Sequence, residues 1–387
     1  MFLFDKSRHG RQEKIAFTHI PYIKWKTELK TNPLFGAEST AVIDENGNLF
    51  FGSHSGNFYC LNSKGEIKWS YSTSEKIYSS PLLLNNKVIF AGGDGYLYCL
   101  DVDGNLIWKF DLTTPSKSMF QKKTINKLLH LPYTYDFNKK KIIEYKSWSS
   151  PNFINGKILI TGYGKGLYCL NENGEILWSF DLGFPRFQLS GVAINRDNKI
   201  FCSSRSGKIF SFNENGVKLW GKTIKSDWEN WGNPVVCDIK EQIYFFFAKK
   251  EKYGIICATD FFGNEIWTQK FGSIRGSCTI SWDGNYIYCC DLNGFLYKIE
   301  TSSGIVKLKK KITNAQRGLW ITPTLDLNSN ILLSTKDSNT TGRVILLNDN
   351  FESIWEFESN KILSIPVIGN SGEIYFGSWD GCYYCLI

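Results

Sequence analysis

The chain has 387 residues, of which 42% are hydrophobic and 21% charged, and its formal net charge is +8. This composition is typical of a globular protein and excludes a largely disordered chain. The 28 Phe, 19 Tyr, 13 Trp and 34 Gly favour many short strands joined by tight turns over a helical bundle.

The first 21 residues form an N-terminal extension that precedes the repeated part of the chain. Asp5, Lys6, Arg8 and Arg11 lie where a secretory signal peptide would have its apolar stretch. No later apolar run approaches the roughly 18 residues that a membrane helix needs. We therefore expect a cytoplasmic protein without membrane partners.

From residue 22 onwards, a unit of about 40 residues recurs along the chain. The segment 77–112 has its most similar copy at 147–182. In the first of these copies, 87–90, 97–100 and 106–109 have the character of short strands, and Gly-rich turns separate them. Together with a strand after Ser-Ser-Pro they make four strands a unit, which predicts the blades of a β-propeller.

A tryptophan marks the fourth strand of the unit. It occupies seven of eight slots, at Trp25, Trp69, Trp108, Trp178, Trp220, Trp267 and Trp355, and Leu308 fills the remaining slot. The last unit stops after its third strand, whereas an orphan fourth strand lies at 22–26. Pairing these two ends would close a ring and leave no open sheet edge. The sequence therefore predicts one all-β domain over 22–387, an eight-bladed β-propeller.

The residues of the unit carry a family resemblance. The pattern Ser-Ser-Pro, Asp-Gly-x-Leu-Tyr, Asn-Gly-x-x-x-Trp resembles the PQQ-like, or quinoprotein-type, propeller repeat, which includes quinoprotein alcohol dehydrogenases and the outer-membrane-protein assembly lipoprotein. The resemblance implies the fold and leaves the function open, because propellers host catalysis, binding and scaffolding alike. Its dehydrogenase branch implies PQQ and calcium. No Glu-Asn-Asp calcium constellation is recognisable here, so we expect neither cofactor and no metal site.

The 11 cysteines follow the repeat. Five of them are assigned to one third-strand position: Cys60, Cys99, Cys169, Cys257 and Cys385. Equivalent positions in different blades lie far apart, so we expect buried, unpaired thiols in a reducing compartment. Some quinoprotein dehydrogenases carry a vicinal disulfide beside the quinone. The vicinal Cys289 and Cys290 lie on a strand, where neighbours point to opposite faces, and we interpret them as core residues.

One residue in each unit lies three positions before the place of the Ser-Ser-Pro proline, which five of the eight units keep. Around the ring these residues are Glu38, Tyr78, Trp148, Gln188, Trp231, Arg275, Trp320 and Leu363. This position lies at the mouth of a propeller's central channel, so the side chains should converge. Aromatic walls with an opposed Glu38–Arg275 pair suit planar or cationic ligands. The alternative is that the tryptophans pack between blades.

The turns between second and third strands lie on the same face. They differ from blade to blade, with His54, Gly93, Tyr163, Arg205, Leu292 and Trp379 at corresponding places. We expect these residues farther from the channel than the ring, where variable tips on a constant scaffold build recognition surfaces.

An insertion at 115–146 interrupts the repeat between blades 2 and 3. It contains eight Lys against Asp136 and Glu144, and 119–131 is compatible with a short helix. Because it joins a fourth strand to the next first strand, it should emerge beside the channel mouth. It is either a basic flap that attracts an anionic ligand or acidic partner, or a solvated loop.

We expect a monomeric binding or scaffolding propeller that engages a protein partner or a small molecule at the channel mouth. The alternative is a propeller enzyme, a quinoprotein-like oxidoreductase or a lyase, acting in the same funnel. Its candidate acid–base residues are Glu38, Arg275, His54 and His130. A third possibility is a structural module that uses only its outer rims. Nucleic acid is not expected, because the basic excess is confined to the insertion.

Overall fold

The computed structural model describes the chain except for residues 1–5, 9, 30–35, 114–134, 137–140, 143–148, 163–165, 182–189, 205–206, 226–227, 231 and 250–252. Its strands form the eight antiparallel blades of an all-β propeller, as the repeat predicts. Within the described ranges, no helix is long and apolar enough to cross a membrane.

Each blade runs from an inner strand at the channel to a fourth strand at the rim. Blade 1 contains β2 (Val42–Ile43), β3 (Leu49–Gly52), β4 (Asn57–Leu61) and β5 (Ile67–Ser72). Blade 2 contains β6 (Leu82–Leu84), β7 (Lys87–Ala91), β8 (Tyr96–Asp101) and β9 (Leu106–Asp111). Blade 3 contains β12 (Asn152–Ile154), β13 (Lys157–Gly162), β14 (Gly166–Asn171) and β15 (Ile176–Asp181). Blade 4 contains β16 (Ala193–Ile194), β17 (Ile200–Ser203), β18 (Lys208–Phe212) and β19 (Lys218–Thr223).

The second half of the ring follows the same plan. Blade 5 contains β20 (Glu229–Asn230), β21 (Val235–Cys237), β22 (Gln242–Lys249), β23 (Tyr253–Asp260) and β24 (Glu265–Phe271). Blade 6 contains β25 (Thr279–Ile280), β26 (Tyr286–Cys290), β27 (Phe295–Glu300) and β28 (Val306–Lys311). Blade 7 contains β29 (Thr324–Leu325), β30 (Ile331–Ser334), β31 (Thr341–Leu347) and β32 (Ser353–Asn360). Blade 8 contains β33 (Val367–Ile368), β34 (Ile374–Gly377) and β35 (Cys382–Leu386).

The fourth strand of blade 8 comes from the other end of the repeat. β1 (Ile23–Glu28) pairs antiparallel with β35, with Trp25 opposite Cys385. Just beyond the ladder, Tyr22 and Ile387 exchange two backbone hydrogen bonds of 2.9 and 3.1 Å. The predicted closure of the ring is confirmed, and it satisfies an edge that would otherwise be open.

The hydrophobic core lies between successive blades. One cluster joins Phe50 and Phe58 of blade 1 to Val88 and Phe90 of blade 2, and the Phe58 and Phe90 rings stack at 4.0 Å. Middle strands are therefore buried on both faces, whereas a fourth strand such as β9 has exposed residues at its start. No blade buries its apolar faces alone.

The repeated tryptophan joins the fourth strand of six blades to the next blade. The Trp108 indole lies on Gly174, in the turn between β14 and β15, and its Nε1 donates to the Glu172 carbonyl at 3.0 Å. Trp25, Trp69, Trp178, Trp220 and Trp267 make the same carbonyl bond to the next blade. Blade 8 has no such turn because the chain ends meet there. Trp355 donates instead to the Phe17 carbonyl, at 2.8 Å.

The eleven cysteines are buried thiols. Cys60, Cys99, Cys169 and Cys385 each oppose the blade tryptophan across the ladder. The assignment of Cys257 to this position is wrong.

In blade 5, Ala258 opposes Trp267, so Cys257 is one residue out of step and belongs to the opposite face of the sheet. Its hairpin has eight residues in each strand, longer than the repeat unit implies. Cys289 and Cys290 belong to different core clusters, on the two faces of β26. Burial raises the pKa of the Cys99 thiol to about 12.

Most of the basic insertion, including the predicted helix at 119–131 and His130, lies outside the described residues. Its described part is a short antiparallel hairpin of β10 (Tyr135–Asp136) and β11 (Lys141–Ile142).

Candidate functional site

Hydrogen bonds between blades position the residues at the channel mouth. The backbone N–H of Thr40 donates to the Ser80 hydroxyl at 3.2 Å, and that of Ser80 donates to the Ser150 hydroxyl at 2.9 Å. A second run leads from Gly191 through Asn233 and Ser277 to Thr322. The Ser-Ser-Pro motif thus serves blade-to-blade bonding. Each run of hydrogen bonds ends because the equivalent residue of the next blade, Gly191 or Ile365, has no side-chain acceptor.

A cavity of about 400 Å³ opens at the mouth, beside blades 7, 8, 1 and 2. This mouth cavity is lined by Glu38, His54, Lys76, Tyr78, Trp320, Leu363 and Trp379. Four of them belong to the predicted ring. The ring residues Trp148, Gln188 and Trp231 lie outside the described residues.

The sequence predicts His54 and Trp379 farther from the channel than the ring, and in the structure both line the mouth cavity together with ring residues. Their turns are hydrogen-bonded to the segments that enter the inner strands. The backbone N–H of His54 donates to the Gly36 carbonyl at 3.2 Å, and that of Trp379 donates to the Lys361 carbonyl at 3.0 Å. These bonds bring both rings into the lining of the mouth cavity.

One wall of the mouth cavity holds a histidine beside a carboxylate. His54 Nε2 lies 3.2 Å from Glu38 Oε2, and the His54 side chain is 4% exposed against 20% for Glu38. The Tyr78 ring lies edge-on to the imidazole at a centroid distance of 4.6 Å. The sequence predicts an opposed pair of Glu38 and Arg275. In the structure His54 lies beside Glu38, and the Arg275 guanidinium lies near Trp320.

Cations lie against both tryptophans of the cavity. Lys361 Nζ is 3.0 Å from the Trp379 ring centroid. The guanidinium carbons of Arg275 and Arg317 are each 5.8 Å from the Trp320 centroid. Burial lowers the pKa of Lys361, as does the charge of Lys336, while Glu38 opposes the shift. An anion near this ammonium group would offset both effects.

Sequence reasoning missed Lys361, although the repeat carries a signal for it. Lys361 lies two positions before Leu363 of the ring, and Lys76 lies two positions before Tyr78. Lys146 occupies the same place in blade 3, outside the described residues. A basic residue at this slot in three of eight units is a second recurring feature of the channel mouth.

The described lining does not fit a calcium site. Calcium takes six to eight oxygen ligands, and Glu38 is the cavity's one carboxylate among the described residues. No group of three or more His, Cys, Asp or Glu in the described ranges is arranged to hold a metal ion. The chemistry offered here is aromatic and cationic.

Known proteins share this architecture. A family model described as outer membrane protein assembly factor BamB matches residues 23–131. BamB from Moraxella catarrhalis has a TM-score of 0.68 at 14% identity, over 95% of this chain and 98% of that chain. The quinohemoprotein alcohol dehydrogenase ADHIIG from Pseudomonas putida HK5 has a TM-score of 0.72 at 11% identity, over 98% of this chain and 78% of that chain.

A curated human relative shares one short stretch. The beta-alanine-activating enzyme of Homo sapiens is 40% identical over 38 residues, which are 10% of this chain and 4% of that protein. Identities of 11–14% to the solved structures show a common fold.

Proposed function

Because this chain is an eight-bladed β-propeller of the PQQ-like type, we propose that it is a binding or scaffolding protein. Its mouth cavity holds an anionic group carried on a planar or apolar body. A small molecule and an acidic segment of a protein partner both offer this chemistry. The observation that carries the proposal is the pairing of each cavity tryptophan with a cation.

The dimensions and charges of the cavity support this ligand class. Its volume of about 400 Å³ falls within the 300–1,000 Å³ that is usual for ligand sites. Trp320 and Trp379 offer flat apolar surface, while Lys76 and Lys361 place positive charge at its edge. The positive charges of Lys76 and Lys361 would attract an anion to this edge of the cavity.

We propose first that the anionic group belongs to a protein partner. The matching family model is described as an assembly factor, a role that involves other proteins. We further propose that the chain acts as a monomer in a reducing, cytoplasmic compartment, where its eleven buried thiols persist.

Two probes of equal ring size test the ligand class. We expect 2-naphthoate to bind about tenfold more tightly than 2-naphthalenemethanol, which corresponds to about 1.4 kcal/mol. Lys361→Met should remove this preference, and Trp379→Ala should weaken the binding of both probes, as measured by isothermal titration calorimetry. The control is Phe262→Ala, because that ring is 69% exposed and lies in a turn of blade 5.

Equal affinity for the two probes, or affinity unchanged by Trp379→Ala in a folded variant, would overturn the proposal. Native mass spectrometry of protein from its own host then tests whether the ligand is a small molecule or a protein partner. A retained compound of the expected chemistry identifies a small molecule, whereas a photo-cross-link from position 363 to an acidic partner segment identifies a protein.

One observation favours an enzyme as the second candidate. The His54–Glu38 pair places a carboxylate beside a buried imidazole, an arrangement suited to proton transfer. If the protein converts a bound compound and Glu38→Gln abolishes that conversion, catalysis replaces binding as the function.

A further inference from the structure

The far end of the channel, opposite the mouth, is crossed by part of the N-terminal extension. Residues 6–8 and 10–18, here called the strap, lie along the ends of the inner strands. Inner strands present their free edge to the channel, and such an edge is a template for pairing with another chain segment. What the strap does to these edges follows from its hydrogen bonds.

The strap backbone satisfies edge groups of three inner strands. The carbonyl of Lys6 accepts from the Ile194 N–H at 2.9 Å, and that of Ser7 accepts from the Val236 N–H at 3.0 Å. Farther along, the carbonyl of Gly10 accepts from the Leu325 N–H at 3.1 Å. The strap backbone is therefore hydrogen-bonded to blades 4, 5 and 7, in the order of the ring. The strap contributes only backbone carbonyl groups to these bonds, and every peptide has such groups.

Arg8 anchors the strap and is fully buried. Its guanidinium donates to the Ser150 carbonyl at 3.0 Å and to the Val192 carbonyl. A Cβ atom on Gly191 would lie 2.8 Å from Arg8 Nη2, so the glycine makes room for the side chain. This is the place where the first run of blade-to-blade hydrogen bonds stops.

Gln12 is a second anchor, near the other interruption of the ring at Ile365. Its Nε2 donates to the Thr324 hydroxyl at 3.0 Å, and its Oε1 accepts from the Ile368 N–H at 2.7 Å. Between the two anchors, Gly10 has a φ of +72°, and a Cβ there would meet the Thr279 hydroxyl. The strap thus has two buried polar anchors four positions apart, with a glycine between them.

We propose that this end of the channel is a peptide-binding groove, occupied in cis by the strap. Its preferred ligand is a peptide with an arginine and, four residues later, a glutamine, with a glycine between them that allows a left-handed backbone turn. The arginine reaches carbonyl groups of blades 3 and 4, and the glutamine reaches blades 7 and 8. The groove is separate from the mouth cavity and does not depend on its ligand.

Cleavage of the folded, full-length chain tests the groove. A specific protease site inserted between His19 and Ile20 lies in an exposed stretch, where Ile20 is 85% exposed. After cleavage, we expect the released segment to stay with the propeller through gel filtration. A synthetic peptide of residues 1–18 should displace it. The same peptide with Arg8→Ala should require an about tenfold higher concentration for equal displacement.

Glu13→Ala in the competing peptide is the matched control, because the Glu13 side chain is exposed. That peptide should compete as well as the unchanged sequence. Since these substitutions are made in the peptide, folding of the protein does not enter the comparison. Immediate loss of the cleaved segment, or equal competition by the Arg8→Ala peptide, would show that no such groove exists.

Discussion

Arg343 shows how a single side chain can join two blades. Its Nε and Nη2 donate to the two carboxylate oxygens of Asp337 at 2.7 and 3.1 Å, and Nη2 also donates to the Ile312 carbonyl at 3.0 Å. Burial by itself would raise the pKa of Asp337. Hydrogen bonds from Arg343, Thr313 and Thr335 outweigh burial and hold that pKa below its ordinary value.

We expect Asp337→Asn to lower the free energy of unfolding by about 1.5–3 kcal/mol at pH 7, the usual range for hydrogen bonds to charged groups. A carboxyl whose pKa is lowered in the folded state contributes stability above its ordinary pKa of 3.8, and this contribution is lost as the pH falls through the folded value. Urea unfolding should therefore show a difference at pH 7 that shrinks below pH 3.8.

The control is Glu45→Gln, an exposed turn residue, which should change stability by less than about 0.5 kcal/mol. A difference for Asp337→Asn that stays constant down to low pH would contradict the role given to the carboxylate.

At the mouth cavity, individual residues could be predicted from the sequence only in part. The ring position identified Glu38, Tyr78 and Trp320 because it repeats with the blades. Their partners were not predictable in the same way. His54 lies beside Glu38 because its turn is hydrogen-bonded to the segment that enters the inner strand. The turn residue differs from blade to blade, so the repeat does not predict which side chain lies beside the ring.

At the scale of elements, the stacking of a tryptophan on a glycine turn connects neighbouring blades. Gly174 has a φ of +80°, and a Cβ there would lie 2.6 Å from the Trp108 ring. Gly156 has nearly the same backbone conformation, with a φ of +74°, yet a Cβ there would have nothing within 4 Å. Substitution of Gly156 therefore tests the cost of the backbone conformation alone. Substitution of Gly174 adds the cost of a steric clash.

Gly156→Ala should destabilise the protein by about 1–2 kcal/mol, from the left-handed backbone alone. Gly174→Ala should cost about 1–3 kcal/mol more, because its methyl group displaces the Trp108 ring. Chemical denaturation measures both free energies of unfolding. Equal losses of stability for the two variants would mean that the Trp108 ring moves aside without penalty and that its stacking on the glycine turn contributes little.

The repeat predicted the blades and the closure at β1, because each strand pairs with a neighbour in the same or an equivalent unit. It did not predict the strap, whose partners lie in blades 3 to 8 and have no period of their own. A signal was nevertheless present. Gly191 and Ile365 interrupt the Ser, Thr or Asn slot, and the two strap anchors lie beside those interruptions.

For the whole molecule, shared cores imply cooperative unfolding. One cluster combines Ile89 and Leu97 of blade 2 with Ile158 and Tyr168 of blade 3, so the loss of one blade exposes the face of the next. The buried thiols report on this directly. Iodoacetamide should label almost none of the eleven in the native protein.

In increasing urea, all eleven thiols should become labelled with one midpoint, equal to that of the loss of near-ultraviolet circular dichroism. Mass spectrometry of the labelled protein counts them at each step. Labelling in sets that match single blades, each with its own midpoint, would contradict a ring that unfolds as one unit.

The position of the strap in the sequence determines when, during synthesis, it can form its native contacts. Arg8 and Gln12 are translated before every strand they contact, and the last of those contacts, Ile368, follows more than 350 residues later. At a synthesis rate of about 5–20 residues per second, tens of seconds pass between the synthesis of the strap and that of the last strand it contacts. During that interval it is a basic, unpaired segment on a growing chain. The strap, translated before the blades, is thus among the last segments to reach its native contacts.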